Sequence, residues 1–424
     1  MRSLKKRKAL IPKYEKITLE NGFEVYFAPV NEKSGVISVD LYYKVGSRDE
    51  TLGKTGIAHM LEHMNFKSTK KHKAGEFDRI VKSFGGVDNA STGFDFTHYY
   101  IKCEKSNLDK SLELFSDMME NLALKKSEFE PERNVVAEER RWRTDNDPMG
   151  FLYFKLFESA FGYHPYHWLP IGFYDDIINW DINDIKDFHK RFYQPQNAFL
   201  MISGASDAKT AFSVAKKYFG SIKNKGKLPK RTFSEPEQKG AKEITIIKPN
   251  DSQICALAFK TPNFAHADVP ALDALAQYLG DGKSSLLQKE LVDSAKLATS
   301  ISCFNMALKD AGLFIIIAIA NPKVRASKLK SEILKLIKST KSQNIDESYI
   351  EKIKNALKID LEFQLSSASS TARLVGEYIA NGDISPLYSL EERTAKLAGA
   401  DINKMAKKYL NQNQMTSVIL KGKK

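Results

Sequence analysis

Two histidines and a glutamate stand together in the run Gly56-Ile57-Ala58-His59-Met60-Leu61-Glu62-His63-Met64, with the spacing H-x-x-E-H. The local sequence suits a helix, and residues four apart on a helix share one face, with Cβ atoms about 6 Å apart. The imidazoles of His59 and His63 can therefore converge on one zinc ion at Zn–N distances of about 2.0–2.1 Å. Glu62 precedes the second histidine, so it sits beside such a metal rather than on it. There a carboxylate can take a proton from zinc-bound water, whose pKa the metal lowers towards about 7. The plainer reading of the same residues is two helix histidines beside an unrelated glutamate.

A catalytic zinc takes a third protein ligand and keeps one position for water. The segment Glu132-Arg133-Asn134-Val135-Val136-Ala137-Glu138-Glu139-Arg140 offers one. Glu132 and Glu139 are seven apart and share a helix face across two turns. Glu139 is the candidate ligand, and Glu132 a carboxylate that could steady a ligand histidine from behind. Taken alone, this segment also reads as a solvated Glu/Arg-rich helix face. His98, His164, His167 and His189 read as structural or surface histidines, and Pro165 keeps His164 and His167 from sharing a helix face.

The elements that must position these residues come in two copies. Asp184 opens DIKDFHKRFYQPQNAFLMIS, and Asp401, 217 residues later, opens DINKMAKKYLNQNQMTSVIL. Each reads as an amphipathic helix, a Gln/Asn-rich break and an apolar strand. At the same offset, Ile37-Ser38-Val39-Asp40-Leu41-Tyr42 matches Ile254-Cys255-Ala256-Leu257-Ala258-Phe259. Two matches at one offset point to duplication. A Lys/Pro/Gly-rich stretch without hydrophobic periodicity separates the copies. The expected division is a metal-binding domain over residues 1–222, a linker over 223–242 and a second domain over 243–424. Asn21-Gly22 between two strand-like runs predicts a hairpin. The class is α+β, each half a mixed, mainly antiparallel sheet with helices on one face.

Bulk properties exclude little but agree. The 424 residues suit two cores, and 42% apolar with 28% charged residues is an ordinary globular balance. The net charge of +13 is spread along the chain, as at Lys328, Lys330, Lys335 and Lys338 on the wet side of a helix whose apolar side includes Leu329, Ile333, Leu336 and Ile337. No nucleic-acid-binding signature accompanies it, and no run approaches the ~18 apolar residues of a membrane span. Cys103, Cys255 and Cys303 read as buried free thiols of a reducing compartment. The basic N-terminus lacks the apolar stretch of a signal peptide. The expected location is cytoplasmic, or periplasmic if an export signal has been removed.

The chain resembles the pitrilysin/insulinase family of inverted-motif zinc peptidases, most closely its short members, which resemble the catalytic subunit of mitochondrial processing peptidase. Besides H-x-x-E-H and the Glu132/Glu139 pair, the resemblance includes Asn21-Gly22 and Val45-Gly46-Ser47-Arg48-Asp49-Glu50. It continues through Gly85-Gly86-Val87-Asp88-Asn89-Ala90-Ser91-Thr92, Thr97 to Tyr100, His164-Pro165-Tyr166 and Tyr193 to Gly204. It implies two homologous domains of the metallopeptidase α/β-roll type forming half of a clamshell. It makes His59, His63 and Glu139 the ligands of a single zinc, Glu62 the general base and Glu132 the carboxylate behind the ligands. Asn89 and Ala90 would lie on an edge strand that pairs with an extended peptide by β-augmentation, although Asn89 after two glycines also reads as a turn residue. At the 217-residue offset His59 and His63 fall on Ala276 and Gly280, so the second half would lack the metal. Leu286 and Thr299 stand where active members carry a substrate-clamping Arg and Tyr. The implied activity is a zinc-dependent endopeptidase acting on peptides in an enclosed chamber. The alternative is a low-activity or scaffold subunit whose partner supplies the clamp. The implied partners are peptide substrates and a second copy or a sibling subunit, with no nucleic acid and no membrane.

Overall fold

The computed structural model describes residues 10–30, 33–249 and 253–422; the expectation about the basic N-terminus falls largely outside them. The first half runs β1 (Glu15–Thr18), β2 (Glu24–Pro29), β3 (Val36–Tyr43), α1 (Ile57–Asn65), α2 (Glu76–Ser83), β4 (Val87–Thr92), β5 (Thr97–Glu104), α3 (Leu108–Asn121), α4 (Lys126–Arg140), α5 (Pro148–Ala160), α6 (Tyr174–Ile178), α7 (Ile182–Phe192), β6 (Ala198–Gly204) and α8 (Ala208–Phe219). The second runs β7 (Lys242–Lys248), β8 (Ile254–Thr261), α9 (Val269–Leu279), β9 (Ala298–Ala307), β10 (Gly312–Ala320), α10 (Ala326–Thr340), α11 (Glu347–Gln364), α12 (Ala368–Asn381), α13 (Ser385–Ala395), α14 (Gly399–Tyr409) and β11 (Met415–Gly422).

The two sheets repeat one plan. Their strand orders are β1-β2-β6-β3-β5-β4 and β7-β11-β8-β10-β9. Each holds one parallel pair, β2 with β6 and β7 with β11, among antiparallel neighbours. The Asn21-Gly22 hairpin closes β1 onto β2, with Gly22 at φ +82°, a conformation glycine takes at no steric cost.

The compact units interleave along the chain. One comprises residues 1–136, 170–231 and 359–388, the other 137–169, 232–358 and 389–424. In the first unit α3 lies against β3 and β5 on one sheet face, while α12, from the second half of the sequence, covers the other face at β3 and β6. In the second unit α5, from the first half, packs on β8 and β11. The expected contiguous domains and one-sided sheets are thus replaced by an exchange of equivalent helices. The exchange explains β3. Its alternation reads as one wet face, yet Ser38 and Asp40 are buried. Asp40 Oδ1 pairs with His98 Nε2 at 2.7 Å and Oδ2 accepts from Ser38. A carboxylate shut beneath a helix needs such partners.

The expected linker has no regular secondary structure from 223 to 241, but it is clipped down. Glu235 accepts the N–H groups of Gly162, Tyr163 and His164 at 2.8–2.9 Å and pairs with Lys260 at 2.7 Å. The three cysteines are buried free thiols.

Candidate metal centre

Helix α1 begins at a position only glycine fills. Gly56 has φ +84°, and a Cβ there would stand 2.5 Å from the Ile171 carbonyl oxygen. The first N–H groups of a helix lack internal partners. Here the buried Glu50 carboxylate takes two, accepting from Gly56 N and Ala58 N at 2.8 Å each. Arg231 in turn donates to the main-chain oxygens of Asp49 and Glu50. The run that starts α1 is therefore fixed from behind.

From this helix His59 and His63 project with ring centroids 4.7 Å apart. Helix α4 is continuous and carries both Glu132 and Glu139. Ligand atoms of His59, His63 and Glu139 lie within 4.8 Å of one another, and no other such group occurs among the described residues. Atoms bound to one tetrahedral zinc stand roughly 3.4 Å apart, so small rotamer adjustments close the set. Two imidazoles and a carboxylate are a zinc donor set that leaves a fourth position. Arg143 also reaches Glu139 Oε1, at 3.0 Å.

Glu132 occupies the second layer. Its Oε1 meets His63 Nδ1 at 2.8 Å, and Lys67 pairs with Oε2. Burial alone would raise the Glu132 carboxyl, but the hydrogen bonds from His63 and Lys67 outweigh it and hold it below its ordinary value. An ionised carboxylate only accepts, so Nδ1 carries the hydrogen and Nε2 keeps its lone pair for a metal.

Glu62 accepts a hydrogen bond from Thr92 Oγ1, a contact that nothing in local spacing announced. Nearby, Tyr99 Oη receives Asn65 Nδ2 at 3.0 Å and meets Tyr193 Oη at 3.1 Å. Burial pushes both phenols far above their ordinary value, so they stay protonated.

Thr92 ends β4, the edge strand of the first sheet. Asn89 and Ala90 lie on the same strand, opposite Tyr100 and Tyr99 of β5. Main-chain groups of an antiparallel strand point alternately to the partner and away. Gly93 N–H bonds Phe96 O at 2.9 Å, and Ala90 N–H bonds its neighbour Asn89 Oδ1 at 2.8 Å. Asn89 and Ser91 therefore address β5, while the main chains of Asp88, Ala90 and Thr92 address the open edge. Three other histidines are held elsewhere: His98 by Asp40, His164 by Asp310 and His167 by the Phe161 carbonyl. In the second unit, Leu286 packs against the core and Thr299 is exposed on β9.

This donor set fits the inverted H-x-x-E-H pattern of metal-dependent hydrolases. Residues 27–161 match the family model described as insulinase (peptidase family M16), and residues 179–357 match that of the peptidase M16 inactive domain. The chain is 49% identical to the zinc protease PqqE of Helicobacter pylori, over 97% of this chain and 93% of that protein. A crystal structure of a protease from Helicobacter pylori superposes with a TM-score of 0.95 at 49% identity, covering 97% of this chain and 100% of that one. The periplasmic protease PqqL of Escherichia coli shares the fold, with a TM-score of 0.80 at 18% identity over 98% of this chain and 48% of that one. The chain belongs to the insulinase, or M16, peptidase family. Among the described residues no helix is long and apolar enough to cross a membrane.

Proposed function

We propose that the chain is a zinc-dependent endopeptidase acting on extended peptides. The convergence of His59, His63 and Glu139, with Glu62 beside them, carries the reading. These three residues would hold the ion, and Glu132 orients His63 from behind. A bound zinc supplies Lewis-acid activation of water and polarisation of the scissile carbonyl. Glu62 takes the proton from the attacking water and returns it to the departing amine nitrogen. The outward main chain of Asp88, Ala90 and Thr92 offers an extended peptide a strand to pair with. Asn89 Oδ1, now on the Ala90 N–H, gives way when the peptide docks.

The test is Glu62→Gln. It should keep zinc by elemental analysis and lose cleavage of a fluorogenic peptide by about 10²-fold or more. Normal cleavage by this variant, or a wild-type protein without zinc, refutes the proposal.

A second reading, a low-activity subunit that borrows a substrate clamp, is favoured by Leu286 and Thr299, neither of which can donate as Arg and Tyr would. Assembly is then with a sibling chain rather than a second copy. Cleavage that rises only when a co-purified sibling is added selects this reading.

A further inference from the structure

The side chains of Asp88, Ala90 and Thr92 share the half-buried face of β4, and Val87, Asn89 and Ser91 the exposed one. Helices α1 and α2 pack against this strand. Thr92 therefore has two directions of action. Its main chain addresses the open edge, by the alternation that Gly93 N–H and Phe96 O fix. Its hydroxyl addresses Oε2 of Glu62.

The last torsion of a glutamate is a broad, nearly two-fold rotor, so the helix alone does not fix the plane of the Glu62 carboxylate. A proton acceptor works only within hydrogen-bond reach of the proton it removes. We propose that Thr92 is a positioning residue that couples peptide binding to the base. A peptide paired with the edge stiffens the end of β4, and the Thr92 hydroxyl then holds the Glu62 carboxylate in the plane that meets the attacking water. The proposal rests on the peptidase reading. It adds that an occupied edge strand sets the geometry of the base as well as the register of the substrate.

The experiment compares Thr92→Val, which keeps the branched strand residue and removes the hydroxyl, with Thr92→Ser, which keeps the hydroxyl. Both are studied as full-length, zinc-loaded protein. In Thr92→Val, kcat should fall about 10–100-fold with KM within about twofold, and Thr92→Ser should recover to within about threefold of wild type. On a Glu62→Gln background, Thr92→Val should leave the Kd of an uncleaved peptide within about twofold, because the hydroxyl acts through Glu62. Crystals should show one Glu62 rotamer in wild type and Thr92→Ser, and a rotated or split carboxylate in Thr92→Val.

A Thr92→Val enzyme with wild-type kcat and an unmoved carboxylate overturns the inference and leaves the peptidase reading standing. A kcat loss that Thr92→Ser does not recover also overturns it, since the strand and not the hydroxyl would then matter. A wild type that cleaves no peptide, with Glu62 still displaced in Thr92→Val crystals, overturns the peptidase reading alone.

Discussion

Glu132 touches no candidate metal position itself, so its removal tests what the layer behind the ligands contributes. Its bond to His63 Nδ1 is 2.8 Å long, with the two side chains only 13% and 22% exposed. Glu132→Ala deletes a charge-assisted acceptor worth about 1.5–3 kcal/mol where solvent enters only partly. His63 then loses the partner that keeps the hydrogen on Nδ1, and part of its population turns a protonated Nε2 towards the metal. Zinc affinity should fall about 10–100-fold, or roughly 1.4–2.7 kcal/mol. Glu132→Gln keeps an amide oxygen that can accept from Nδ1–H, so its loss should be about 3–10-fold. The assay is competition against a chromophoric chelator at neutral pH. Glu138→Ala serves as control, because Glu138 is exposed on the same helix and pairs with the nearby Arg141. An affinity of Glu132→Ala within about twofold of wild type refutes the reasoning, as does an equal loss in Glu138→Ala.

Two further outcomes follow from the fold. Gly376 on α12 has no room for a side chain, since its Cβ would stand 2.5 Å from a ring carbon of Tyr42. Gly376→Ala should cost about 1–3 kcal/mol by overpacking, and unchanged urea unfolding would deny that α12 covers the first sheet. The Glu235 carboxyl is held down at about 2: burial opposes this, but bonds from Gly162, Lys260, His164 and Tyr163 prevail. A depressed folded-state pKa stabilises above the ordinary carboxylate value near 4.5 and is lost as pH falls towards 2. Glu235→Gln should cost about 1 kcal/mol at neutral pH, since solvent screens part of the pairing. Its gap from wild type should shrink below about pH 4.5, and a pH-independent gap in chemical unfolding contradicts this.

What could be read beforehand was what one element contains. H-x-x-E-H and the seven-residue spacing of Glu132 and Glu139 are periodic facts about two helices, and they bring His59, His63 and Glu139 to one place because each helix presents a single stripe. The strand plan of the second half was likewise legible from its offset copy of the first. Contacts between distant segments were not. Thr92 lies 30 positions from Glu62 in sequence, and Glu50 caps α1 from outside the helix. Neither residue has a local pattern that distinguishes its role from that of an ordinary strand threonine or loop glutamate. The expectation of helices on one sheet face missed for the same reason: the helix that covers Asp40 comes from more than 300 residues further along.

The second copy of this helix lacks the two histidines and also has no room for them. In α1, His59 and His63 remain half-buried on a face left open towards α4. In α9, the equivalent positions have been packed shut. Ala276 is 5% exposed within the core of the second unit. Gly280 closes the helix where a Cβ would stand 2.3 Å from Cys303 Sγ on β9. A histidine at 280 would have to push Cys303 aside before it could meet any ligand, and overpacking of this kind costs about 1–3 kcal/mol. The duplicated helix has thus exchanged a site-facing stripe for core, and the candidate donors stay with the first copy.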